Sequence, residues 1–436
     1  PHLVVHEGFV RAGLLRDGDR ALVFDAGDPA LLAGLPALGI RQIERAFYTH
    51  YHRDTTFAAD ALAAHGAALV VPAAEHPLFA HVERYWNDPT CRWHLYRNHP
   101  DSLLLPRSVP VAATVRPGDT FAWGPATMTV LATPGHTDGS VAYQVDDDGR
   151  RHIFCGDALC GDGQVWDAYS LQKGDADLMD YHGFLGARGA LAASLLTLRA
   201  AQAAALIPAH GPRVDEPAAA IDRLLARLAA AHRQYAATSA LRHYFPERFV
   251  EYAGDSTFLP IRPGLPVPVY LRHLDTTWLI VSESGAAFVM DCGSPAVVEQ
   301  IARLQEAGTI GPVEGLWITH YHDDHVDGIA RFRERFDCPV IADTHVAAVV
   351  GNPPAWRLPC LSPLRIPVDR RTTHGERWSW REFTLTAFHL PGQTEYHGGL
   401  LCEGRDRRLF FTGDSFTPAG IDDYCTGNRN WLGAGQ

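Results

Sequence analysis

Lysine is almost missing from this 436-residue chain. Lys173 is the only one, and the other basic residues are arginines, a bias that reads as genome composition and not as a site. The formal charge of −12 gives no support for nucleic-acid binding, which favours basic patches. No apolar run approaches the roughly 18 residues that a membrane span needs, so no membrane partner is expected. The eight cysteines are scattered with no CxxC pair and read as buried thiols of a reducing compartment. No signal-peptide pattern is visible, and a cytoplasmic protein is expected. Because the chain opens on Pro1 without Met, a native start upstream is left open. With 46% apolar and 20% charged residues, the composition is that of an ordinary soluble globular protein. The length suggests two or three domains.

What the chain does have is a phrase written twice. Residues 49–58 read THYHRDTTFA, and residues 319–328 read THYHDDHVDG. Three further phrases recur in the same order. LVFDAGDP (22–29) matches FVMDCGSP (288–295), TPGHTDGS (133–140) matches LPGQTEYH (390–397), and IFCGDA (153–158) matches FFTGDS (410–415). The offsets are 266 for the Asp25 phrase, 270 for the HxHxD phrase and 257 for the last two, so they drift only by loop-sized amounts. This is the signature of a duplication. The first copy is assigned to 1–235, a Pro-rich connector to 236–262, and the second copy to 263–436. Only 22 residues follow Asp414, so the second copy has no partner for the ALIPAHG phrase at 205–211. The expectation is a second domain incomplete at its C-terminus, with the native chain continuing.

Runs such as ALVFD, RAFYT, ALVV, TMTVLAT, SVAYQV and HIFCG read as strands. TTFAADALAAHG reads as a helix ended by Gly66. GARGALAASLLTLRAAQA and EPAAAIDRLLARLAAAHRQY carry apolar residues at three- and four-residue spacing and read as helices. The histidine and aspartate clusters fall in loops just after strands, where α/β proteins place ligand sites.

Two imidazoles at i and i+2 on a tight loop can converge on one metal ion, and a carboxylate two residues on points to a neighbouring site. Neutral imidazole and carboxylate suit zinc, iron or manganese. A single HxH would mean little in a chain with 23 histidines. HxHxD followed by PGH, GD and AHG, each after a strand-like run, is far more specific.

This order resembles the metallo-β-lactamase superfamily, and it does so twice along nearly the whole chain. The resemblance implies an α/β fold of two tandem αββα sandwiches, with a metal site at one edge of each between its two sheets. In the first copy it implies that His50, His52 and His136 hold one metal ion and that Asp54, Asp157 and His210 hold a second, Asp157 bridging. Most members carry a histidine where this chain has Thr55, so the second ion is expected to be the weaker. In the second copy His320, His322, Asp324, His325 and Asp414 are present, Gln393 replaces the counterpart of His136, and His397 aligns with Ser140. That copy reads either as a metal site or as a degenerate copy kept for its fold.

The expected activity is metal-dependent hydrolysis of an ester, lactone, thioester or amide of a small-molecule substrate. One or two zinc ions in the first domain would activate water, with Asp54 orienting that water or moving its proton. The alternative is an iron-dependent oxidoreductase on the same fold, with the second domain a scaffold. A homo-oligomer is left open. Tyr85, Trp86, Trp93 and Tyr96, and also Trp166 and Tyr169, are read as either pocket lining or core packing. Tyr51 and Tyr321 are expected to pack, Cys155 and Cys160 to be buried thiols, and Asp25 and Asp291 to brace the metal loops.

Overall fold

The structure, a computed structural model, describes residues 3–88, 103–167, 170, 188–238, 246–252, 254, 264–356, 358, 360–417 and 420–421. Trp93, Tyr96 and Tyr169 lie outside the described residues. The described residues divide into two compact units, the first ending at Arg233 and the second beginning at Gln234.

In the first unit, strands β1 (Leu3–His6), β2 (Ala12–Asp17), β3 (Arg20–Phe24), β4 (Gln42–Phe47), β5 (Ala68–Pro72) and β6 (Val111–Val115) form one sheet in that order. The first three are antiparallel, and β3 to β6 run parallel. Strands β7 (Thr120–Trp123), β8 (Ala126–Ala132), β9 (Val141–Asp147), β10 (Arg150–Gly156) and β11 (Ala205–Pro208) form the second sheet, in which β11 lies parallel to β10.

The period-2 pattern of the strands explains the layering. Along β9, Val141, Tyr143 and Val145 enter the core between the sheets with Phe24, Phe47 and Phe154. Ala142 on the same strand, with Ile153 and Cys155 of β10, faces the other way. There it meets Leu191, Leu195 and Leu198 of the helix Arg188–Ala200, and Ile221 and Leu224 of the helix Pro217–Thr238. That second helix continues past the boundary read at residue 235. Phe154 stacks on Phe24 with ring centroids 4.3 Å apart. Gly13 makes room for that ring, since a Cβ there would lie 2.0 Å from it. The parallel strands put their C-terminal ends, and the loops that follow, at one edge of the sandwich.

The second unit repeats the plan. Strands β12 (Leu271–Leu274), β13 (Thr277–Val281), β14 (Ala287–Met290), β15 (Val313–Ile318), β16 (Val340–Asp343) and β17 (Arg370–Thr372) form its first sheet. Strands β18 (Arg377–Trp380), β19 (Phe383–His389), β20 (Gly398–Gly404) and β21 (Arg407–Phe411) form its second. Among the described residues no strand pairs with β21 as β11 pairs with β10. Phe288, Met290, Trp317, Phe383, Leu385 and Leu400 fill the core between the sheets. The amphipathic helix Pro295–Glu306, capped by the Ser294 hydroxyl, buries Val297, Val298 and Ile301 on the outer face of the first.

Among the described residues no helix is long and apolar enough to cross a membrane. Six described cysteines are free thiols, and burial pushes Cys155 and Cys160 above their ordinary value.

Candidate metal centre

The first-unit site begins where β3 ends. Asp25 adopts the left-handed region at φ 46°, which an Asp tolerates better than most side chains. Its carboxylate accepts from Thr49 N at 2.9 Å and Thr49 Oγ1 at 3.0 Å. Burial pushes Asp25 up to about 7, against the hydrogen bonds from Thr49. Thr49 Oγ1 also lies 2.9 Å from His50 Nδ1. A hydroxyl that donates to Asp25 accepts from Nδ1–H, which leaves the lone pair of His50 on Nε2.

The same reasoning sets the other two imidazoles. His52 Nε2 donates to Ser170 O at 2.9 Å, so its lone pair is on Nδ1. His136 Nδ1 meets Ser170 Oγ at 3.2 Å, which turns Nε2 inward to 3.0 Å from His52 Nδ1. The donor atoms of His50, His52 and His136 all lie within 4.8 Å of one another, and all three residues are buried. Burial holds each imidazole below its ordinary value, and the neighbouring histidines add to the effect at His50 and His136. His50 Nε2 is buried with no hydrogen-bond partner. A buried orphan nitrogen beside two others turned to the same point fits a divalent cation.

Asp157, which follows β10, lies between this triad and a second group. Its Oδ2 is 3.5 Å from both His50 Nε2 and His136 Nε2. Its Oδ1 is 2.9 Å from His210 Nδ1, and His210 Nε2 is 3.3 Å from Asp54 Oδ2. Burial disfavours the charged His210, yet the hydrogen bonds and charges of Asp157 and Asp54 outweigh it and raise the imidazole to about 9. Burial likewise works against charge on both carboxylates. It prevails at Asp157, which is raised, whereas His210 holds Asp54 below its ordinary value. Thr55 takes no part in this group: its hydroxyl donates to the His52 carbonyl at 2.9 Å.

One glycine per unit lets the HxHxD loop dock. A Cβ on Gly27 would lie 2.1 Å from Asp54 O, and one on Gly293 would lie 1.8 Å from Asp324 O. Both follow the bracing aspartate by two residues, so the DxG phrase has a steric reason in each copy.

The mouth of the site is aromatic. Trp166 lies flat on His210, centroids 4.0 Å apart and planes at 3°, and Phe9 meets the His210 ring edge-on at 5.4 Å. A cavity of about 390 Å³ opens beside Asp54, lined by Phe9, Val10, Gly27, Arg53 and Phe57 among others. Tyr85 and Trp86 do not line it; Trp86 Nε1 donates to Leu105 O at 2.8 Å instead. The sequence pattern missed Phe9 and Phe57, because isolated aromatics carry no spacing signal. It also missed Ser170, whose backbone and hydroxyl orient two ligands, and the buried Glu75. Glu75 accepts from Thr137 Oγ1 and Gly139 N and so braces the PGH loop.

In the second unit, Asp291 (φ 60°) accepts from Thr319 N and Oγ1, each at 2.7 Å, and Thr319 Oγ1 is 3.0 Å from His320 Nδ1. The donor atoms that converge within 4.8 Å are those of His320, His325 and Asp414. His325 Nδ1 bonds Asp291 at 2.9 Å, and its Nε2 is 3.2 Å from Asp414 and 3.6 Å from Asp324. The Asp324 side chain is 58% exposed. His322 stands outside this convergent set, with its ring 4.5 Å from that of His320. Gln393, in the place of His136, donates from Nε2 to Asp414 at 3.3 Å. His397 is buried, stacks on His320 at 4.6 Å, and donates from Nε2 to Thr412 O at 2.8 Å. Burial opposes charge on His325, but Asp414, Asp324 and Asp291 raise it well above its ordinary value.

A profile of the metallo-beta-lactamase superfamily matches residues 6–210 and 274–424. A hydroxyacylglutathione hydrolase from Xanthomonas oryzae is 28% identical over 144 residues, covering 33% of this chain and 47% of the relative. One from Aeromonas hydrophila is 29% identical over 160 residues, covering 36% and 52%. The chain thus spans about half the length of these curated relatives. Among solved structures, a metallo-beta-lactamase family protein from Thermus thermophilus superposes with a TM-score of 0.41 at 20% identity, covering 57% of this chain and 89% of that one.

Proposed function

The chain belongs to the metallo-beta-lactamase superfamily, and from that premise we propose that its first unit is a zinc-dependent hydrolase of ester, lactone, thioester or amide bonds. The observation that carries this reading is the triad His50, His52 and His136: three buried, neutral imidazoles whose outer nitrogens are occupied by Thr49 and Ser170 and whose lone pairs converge. Such a donor set would hold one ion tightly. Asp54, Asp157 and His210 would hold a second more weakly, since Thr55 supplies no imidazole.

His50, His52 and His136 would hold a divalent cation, which would supply a water of near-neutral pKa and polarisation of a carbonyl. The rest of the work falls to side chains. Asp54 is kept ionised by His210 and its side chain is 28% exposed beside the cavity, so it can take the proton of an attacking water. Phe9, Phe57 and Trp166 offer an apolar wall for an acyl or leaving group, and Arg53 adds a positive charge at the rim. The curated relatives, named as hydrolases, support hydrolysis over a binding role.

For the second unit we propose a role without hydrolysis. Gln393 gives its amide to Asp414 where the first unit has a ligand, and His325 is already compensated by three carboxylates.

The test is a screen of zinc-loaded full-length chain against ester, lactone, thioester and amide substrates, with Asp54→Asn alongside. A substrate turned over by the wild type and slowed about 10²–10⁴-fold by Asp54→Asn is the expected result. Equal rates for the two proteins would remove Asp54 from its role.

A further inference from the structure

A second group of metal-ligating side chains lies in the second unit, apart from the residues of the HxHxD phrase. Asp343 ends β16, His345 lies in the first turn of the helix Thr344–Gly351, and His389 ends β19 on the other sheet. One donor atom from each lies within 4.8 Å of the other two. The His345 and His389 rings are 4.5 Å apart, and His389 Nδ1 is 3.6 Å from Asp343 Oδ1.

Three observations set this group apart from a chance surface cluster. The Asp343 side chain is only 2% exposed and caps the helix Thr344–Gly351, its Oδ1 accepting from His345 N at 2.8 Å, which fixes the carboxylate beside both rings. His389 Nδ1 is buried with no hydrogen-bond partner, its distance to Asp343 exceeding hydrogen-bond length. The donors also come from two stretches far apart in the chain, Asp343 with His345 and His389, and the register that pairs His389 with Gly398 sets the second beside the first. Gly398 leaves the room: a Cβ there would lie 3.2 Å from Asp343 Cβ.

The group belongs to the second unit alone. Phe47 pairs with Val70 in the first unit as Trp317 pairs with Ile341 in the second, which aligns Asp343 with Pro72 and His345 with Ala74. The PGH and PGQ phrases align His389 with Ala132. None of Pro72, Ala74 or Ala132 can ligate. The first-unit metal site therefore has no version of it.

We propose that Asp343, His345 and His389 form a separate binding site for a divalent transition-metal ion. Two imidazoles and one carboxylate suit zinc and its neighbours, cobalt, nickel and copper, more than calcium or magnesium. His345 is exposed, which leaves a fourth position to solvent. Because the ligands span both sheets and a helix start, the ion ties the ends of β16 and β19 together. It therefore stabilises the folded second unit by mass action.

The experiment is equilibrium dialysis of the full-length chain against micromolar zinc, with metal counted per chain and thermal unfolding followed in parallel. His345→Ala is the primary variant because its side chain is exposed and its loss opens no cavity. His389→Ala is the second, and His273→Ala, an exposed histidine elsewhere in the same unit, is the control. The expected result is one zinc fewer per chain in each of the first two variants and none fewer in the control. Zinc should also raise the unfolding temperature of the wild type more than that of His345→Ala. Wild-type zinc content in both cluster variants would overturn the proposal. A loss shared by the control would do the same.

Discussion

Thr55 Oγ1 donates to the His52 carbonyl at 2.9 Å, whereas His325, at the same place in the second HxHxD phrase, bonds Asp291 and reaches toward Asp414. One hydroxyl thus turns back onto the loop backbone where the other copy sends an imidazole across the site. Thr55→His should restore a ligand beside Asp54, Asp157 and His210, raising metal content in the first unit toward two ions. Metal counting on the full-length chain checks this; content unchanged from the wild type would show that the loop cannot deliver the ring.

The bond from Thr49 to His50 fixes a tautomer. Thr49→Val keeps the shape and removes the link between Asp25 and His50 Nδ1. Loss of such a support costs about 10–100-fold in metal affinity, and competition with a chromophoric chelator measures it. An unchanged affinity would mean that His50 needs no help from its outer nitrogen.

His210 should make the second ion pH-dependent. Despite burial, Asp157 and Asp54 raise its pKa to about 9, so at pH 7 the imidazole holds a proton that a cation must displace. Affinity for the second ion should rise about tenfold per pH unit up to roughly pH 9 and level off above it. Titration calorimetry in buffers of different ionisation enthalpy should show about one proton released per second ion bound. The triad, already neutral, should bind the first ion with no such release in this range.

Glu75 predicts a stability slope. Burial pushes it up to about 8 from an ordinary 4.5, against the hydrogen bonds from Thr137 and Gly139. Between those values the folded state holds a proton that the unfolded state does not, so its contribution to stability is greatest below pH 4.5. That contribution is lost as pH rises to about 8, by roughly 1.4 kcal/mol per unit at most. Glu75→Gln should flatten that slope in denaturant unfolding at pH 5, 6.5 and 8. Parallel slopes for variant and wild type would place the titration elsewhere.

Much of the fold was legible before any coordinates. The duplication showed in four phrases because those phrases are strand ends and tight loops, where register and close approach constrain residue type. Gly27 and Gly293, each facing a carbonyl of the HxHxD loop, are that constraint made visible. The two-layer core could be read because Val141, Tyr143 and Val145 alternate with residues facing the helices. In the first unit, the residues whose spacing forces convergence were visible as candidates. Those that act through a fold contact were not. Ser170 reaches His52 and His136 from 118 and 34 residues away, and no local pattern marks it. Phe9 meets His210 from the far end of the unit. Asp343 and His389 share no phrase, and only pairing of the two sheets brings them together. In the second unit the sequence named His320, His322, Asp324, His325 and Asp414, of which His320, His325 and Asp414 converge, while His397 stacks on His320 and Gln393 bonds Asp414.

The central claim is that the histidine triad of the first unit holds the ion that does the chemistry. Metal content and hydrolysis of the best substrate, measured together on the wild type, His136→Ala and His322→Ala, test it most directly. The account predicts zinc in the wild type, with the first-unit zinc and the activity both lost in His136→Ala, seen as at least one zinc fewer per chain, and activity retained in His322→Ala. Iron with a visible absorption band, or activity lost only in His322→Ala, would contradict it.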